Sequence, residues 1–175
     1  MRLGFVILIV LGQFNFLNLI FGNISGVNLS ILAVIAWVII SGFEKTWIWI
    51  ILLGILNDVF LSDRIGPDVI FFIILAYAVS FLSRSFIIER KLSGFLVVAF
   101  FIVAATFLGE ICIPFFSRDI GLMNFWINVK EYFLDWKGVI IKNFLAGIFF
   151  YLIYNLIRMM EKYIGRVDEK LKINL

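Results

Sequence analysis

Histidine is absent from this 175-residue chain, and cysteine occurs once, at Cys112. Without histidine there is no imidazole acid–base catalysis, no histidine-ligated haem and little scope for zinc. A lone cysteine excludes an intrachain disulfide, and its apolar surroundings make it a small buried residue. Only 15% of residues are charged, against about a quarter in ordinary soluble domains. No basic patch is interleaved with aromatics, which argues against nucleic acid as a partner. There is no Walker loop, GxGxxG, GxSxG or HExxH, so nothing points to nucleotide binding or hydrolysis. Internal repeats and low-complexity tracts are also missing. No cofactor is expected.

What the chain has is apolar sequence. Hydrophobic residues make up 63%, mean hydropathy is +1.10, and there are 21 phenylalanines. A water-soluble fold of this length has no interior large enough to hide so much apolar surface. The composition predicts an all-α integral membrane protein of about six transmembrane helices in one domain. A span needs about 20 mostly apolar residues. The expected spans are residues 3–21, 27–43, 46–60, 68–82, 92–116 and 138–159, followed by a basic cytoplasmic tail over 160–175. The first has a signal peptide as its alternative, but the run is long and no small-x-small cleavage site follows it. Gln13, Asn15 and Asn18 mark it as more than a lipid-facing rod. A five-span arrangement with a re-entrant segment near Pro67 is the other possibility. Between residues 117 and 137, Trp126, Tyr132 and Trp136 suit an interfacial segment.

Charge orients the bundle. With the N-terminus inside, ten of the 15 basic residues fall on one side: Arg2, Lys45, Arg84, Arg90, Lys91, Arg158, Lys162, Arg166, Lys170 and Lys172. Arg64, Arg118, Lys130, Lys137 and Lys142 fall on the other. The positive-inside rule then places both termini in the cytoplasm.

Ionisable residues within spans are costly and usually face protein or water. Asp58, Glu110 and Lys142 stand out. The expected topology puts all three in the outer part of the bundle, where a carboxylate–ammonium cluster would lower the cost of each charge. The plainer alternatives are Asp58 reaching outer water and Lys142 snorkelling to the interface. Glu110 is the hardest to explain that way, with Pro114 nearby to disturb the backbone ladder. Gly54 and Asp58, four apart, share a helix face, and so do Asn143 and Gly147. Tyr77 and Ser80 share a face of the fourth span. Gly54 would admit a neighbouring helix. Gly66 would permit the turn into the fourth span, and Asp58 would accept hydrogen bonds from amides at that helix start.

The stretch GILNDVFLSDRIGPDVIFFIILAY, residues 54–77, resembles a pattern of the rod shape-determining protein MreD family. That pattern has a Gly, an Asp four residues later, a Gly eight further on, and a Tyr eleven beyond it. Here these are Gly54, Asp58, Gly66 and Tyr77. The chain departs from the family in the loop, where Ser62, Asp63 and Arg64 stand and Pro67 follows the second glycine. The resemblance covers about 24 residues; elsewhere it is one of size and layout. It implies a non-enzymatic scaffold of the bacterial cell-elongation machinery in the inner membrane. Such a scaffold binds MreC, acts indirectly with MreB, RodA and a penicillin-binding transpeptidase, and so helps organise peptidoglycan synthesis and cell shape. It also implies a fold similar to the S components of energy-coupling-factor transporters. A vitamin-binding S component is therefore the competing expectation, with Asp58, Glu110, Lys142 and the 126–136 segment as pocket residues. Against it, the first span lacks the alanine pair such subunits use for docking. A membrane enzyme is a third class, for which two carboxylates without a recognisable constellation are thin support.

Overall fold

Helix boundaries follow local capping chemistry. Asn28 accepts a hydrogen bond from the Ile31 amide at 3.1 Å and caps the second helix. Gly42 ends that helix, its own N–H returning to the Val38 carbonyl at 2.9 Å. The chain re-enters a helix at Phe43, and the Thr46 hydroxyl donates to the Gly42 carbonyl at 2.8 Å. Pro67 occupies a first helical position, where its missing N–H costs nothing.

The computed structural model describes residues 2–13, 27–61, 66–85, 98–109, 130, 134 and 136–173. Among these the chain is all-helical, with no strand. The helices are α1 (Arg2–Leu11), α2 (Leu29–Ser41), α3 (Phe43–Leu61), α4 (Pro67–Ser85), α5 (Val98–Gly109) and α6 (Trp136–Ile173). The second half of the expected first span, the ends of the fifth, Cys112, Pro114, Trp126 and Tyr132 lie outside the described residues. α6 does not stop near residue 159 but runs on through much of the basic tail. Nothing in GRVDEKLK breaks a helix beyond the one glycine, so the periodic backbone bonding continues.

The centre of the bundle is α2. Every residue from Ser30 to Val38 is buried, as expected of a helix apolar on all sides. α1, α3, α4 and α6 pack around it, and α1 also lies on α3. α3 and α4 form an antiparallel hairpin, the most extensive helix pair. Trp37 anchors the far end of α2. It stacks on Trp49 at 6.5 Å between ring centroids and meets Phe5 edge-on at 5.9 Å. Its indole N–H donates to Glu161 at 2.9 Å, and Arg2 grips the same carboxylate with two nitrogens at 2.9 and 2.7 Å. This fork ties the start of α1 and the end of α2 to α6.

By length and composition, one described helix suffices to cross a membrane: α6 over Trp136–Gly165. α1, α2, α5 and the apolar part of α4 are apolar but shorter. α3 has 19 residues but carries Glu44, Lys45 and Asp58.

Candidate functional site

Among the described residues, the buried polar side chains Ser30, Asn57, Asp58 and Asp68 gather by the α3–α4 turn. Gly54 starts the arrangement. A Cβ there would lie 2.7 Å from Val69 Cα and 3.0 Å from its nitrogen. Only a glycine lets the two backbones approach so closely. One turn on, Asp58 faces the start of α4. Its Oδ2 accepts from the Gly66 amide at 2.7 Å and its Oδ1 from the Asp68 amide at 3.0 Å. A helix N-terminus leaves such amides without partners, and a carboxylate satisfies them well. Gly66 has φ +128°, a conformation strained for other residues, and its carbonyl accepts the Ile70 amide at 3.0 Å. Asp58 itself is fully buried.

Tyr77 lies elsewhere. It is ten residues into α4, about 15 Å along the axis at 1.5 Å per residue. Its ring meets Phe43 edge-on at 6.4 Å, at the opposite end of the hairpin, and is 65% exposed. With Phe43, Glu44, Ser80 and Phe81 it lines a shallow cavity of about 250 Å³. The structure thus joins Gly54, Asp58 and Gly66 and leaves Tyr77 apart.

Of the expected outer cluster, Glu110 lies outside the described residues. Lys142 is part-buried on α6, whose main packing partner among these helices is α2. Asp58 directs its carboxylate to backbone amides of α4. Asn143 joins α6 to α5: its oxygen meets the Thr106 hydroxyl at 3.1 Å, and its nitrogen donates to the Val139 carbonyl at 2.9 Å. No neighbour crowds Gly147. It lines an apolar cavity of about 630 Å³ between α5 and α6.

Four residues complete the site that the spacing pattern did not single out for it. Asp68 and Asn57 are buried and hydrogen-bonded to each other. On its other side the Asn57 amide meets the Ser30 hydroxyl at 3.0 Å. That hydroxyl also lies 2.9 Å from Gln13 Oε1, which accepts from the Ser30 backbone amide at 3.2 Å. One polar chain therefore runs Gln13–Ser30–Asn57–Asp68, crossing α2, α3 and α4 from the turn that ends α1. The signal was present: Asn57 lies in the last turn and a half of α3 and Asp68 in the first turn of α4, so the two flank one turn of an antiparallel hairpin. Among the described residues no group of three acidic or sulfur ligands is placed to hold a metal. The constellation suits fixing four helices and has no exposed nucleophile at its centre.

No family model, characterised protein or solved structure compared with the chain matches it.

Proposed function

We propose that this chain is a non-enzymatic, multi-pass scaffold of the bacterial inner membrane, of the MreD type. In this reading six helices cross the bilayer, both termini are cytoplasmic, and a membrane helix of MreC is the direct partner. The observation that carries it is the division of labour within the motif. Gly54, Asp58 and Gly66 build a rigid hairpin, and Tyr77 stands exposed on its outside. Ile70, Ile74, Tyr77 and Phe81 form one exposed apolar row along α4, at the spacing of a helix face. A scaffold needs a fixed frame and a surface to offer, and the motif supplies both. α6, with an apolar and largely exposed stretch of 18 residues within Trp136–Gly165, supports placement in a bilayer.

The test is co-purification from detergent with MreC of the same genome. Wild type should recover a stoichiometric complex. Tyr77→Ala should weaken it at least tenfold while the protein stays folded. Asp58→Ala should weaken it only in step with lost helix stability. Absence of any complex with wild type removes this reading.

The second reading, a small-molecule subunit of a transporter, is favoured by the α5–α6 cavity. Its volume of about 630 Å³ is that of a ligand pocket. A vitamin panel that raises the thermal midpoint of the wild type, an effect lost on Gly147→Phe, would support it.

A further inference from the structure

We propose that Asp68 is a buried proton-binding site, its carboxyl held in the acid form and donating a hydrogen bond to Asn57. The Ser30 backbone N–H reaches Gln13 at 3.2 Å. A backbone amide only donates, so the atom it meets is the Gln13 carbonyl oxygen. The Ser30 hydroxyl lies 2.9 Å from that same oxygen. The oxygen carries no hydrogen, so the hydroxyl places its single hydrogen there. The hydroxyl oxygen is then an acceptor toward the Asn57 amide 3.0 Å away. Asn57 must turn its NH₂ to Ser30, and the two ends of an amide are distinguished only by such partners. Its oxygen then faces Asp68 Oδ2, the amide's other side-chain contact among the described residues. Two oxygens in contact need a hydrogen between them, and Asp68 is the member of the pair that can carry one. The opposite orientation, with the Asn57 nitrogen on Asp68, leaves the Ser30 hydroxyl one hydrogen short. Either Gln13 or Asn57 then meets it oxygen to oxygen.

A second observation agrees. Asp68 is 2% exposed, and among the described residues its buried Oδ1 has no hydrogen-bond partner. In the acid form that atom is a neutral carbonyl, far cheaper to leave unpaired than half of a carboxylate. The neighbouring Asp58, by contrast, meets backbone amide donors at both oxygens.

The proton has a structural consequence. When it leaves Asp68 Oδ2, the Asn57 amide turns over to donate to the new carboxylate. The Ser30 hydroxyl hydrogen swings from Gln13 to the Asn57 oxygen, and the tie between the end of α1 and α2 loses its hydroxyl hydrogen bond. Proton occupancy at the α3–α4 turn is thereby coupled to the seating of α1.

Infrared spectroscopy of the full chain in lipid tests this, unlabelled and with carboxyl-¹³C aspartate. The expected result is a carboxylic-acid C=O band in mildly acidic buffer. It moves to lower frequency on labelling and is missing from Asp68→Asn, which keeps a donor toward Asn57 and melts with the wild type. Ser30→Ala, with Asp68 in place, shifts the band by releasing Asn57. Absence of a labelled acid band from wild type, or its survival in Asp68→Asn, overturns the proposal. Should Asp68→Asn not accumulate, the band's response to Ser30→Ala decides, and an unmoved band overturns it.

Discussion

Two glycines on the same bundle carry opposite predictions. At Gly54 a methyl group would press on the backbone of Val69 at 2.7 Å, which cannot rotate away as a side chain would. Gly54→Ala should push α3 from α4 and cost about 1–3 kcal/mol, the usual penalty for overpacking. At Gly147 the added methyl meets nothing within 4 Å. There the change should be neutral or stabilise by up to about 1 kcal/mol through helix propensity. Thermal unfolding of both variants in one detergent checks the pair. Asp58 acts as a cap with two amides, and removing a single capping side chain costs about 0.5–2 kcal/mol. Asp58→Ala should fall at the upper end, with Asp58→Asn between it and wild type because an amide oxygen still accepts.

α1 is short, and its sequence alone would not hold it against the bundle. It is pinned at its start by the Arg2–Glu161 fork and just past its end by Gln13 on Ser30. Arg2→Ala leaves a part-buried Glu161 with the Trp37 donor and without its cation, and hydrogen bonds to charged groups contribute about 1.5–3 kcal/mol each. Hydrogen exchange should quicken through α1 in Arg2→Ala, while α3 and α4 keep the protection of wild type. If exchange quickened equally in all helices, α1 would be part of one cooperative unit. α2 behaves differently, because its buried faces touch four neighbours. Replacing Ala33 or Ala36 with leucine should disturb the entire bundle.

For the molecule as a whole, exposure is organised by helix. α2 is enclosed, whereas α4, α5 and α6 present large apolar side chains outward, Phe100, Phe144, Tyr151 and Met159 among them. In water such a surface would associate; in the proposed bilayer it meets lipid, and helix pairing rests on close packing and polar ties. Reporter fusions at the two ends should both read as cytoplasmic, since ten of the basic residues lie on that side of the proposed topology. A reporter placed after Arg64 should read as external.

The residues by themselves determined the helical class and the placing of the α3–α4 turn. Apolar runs, Pro67 and Gly66 act through local backbone chemistry, which needs no knowledge of neighbours. The capping of α4 by Asp58 was legible for the same reason, as both partners lie within ten residues. The tertiary structure alone decided that Gly54 meets Val69 and that Tyr77 stands apart from Asp58. It also decided the chain of contacts from Gln13 through Ser30 and Asn57 to Asp68. Those contacts join residues up to 27 apart in sequence. Hydropathy cannot say which face of one helix turns toward which face of another. That choice is made by packing, where close backbone approach and the need to pair every buried polar group select one arrangement.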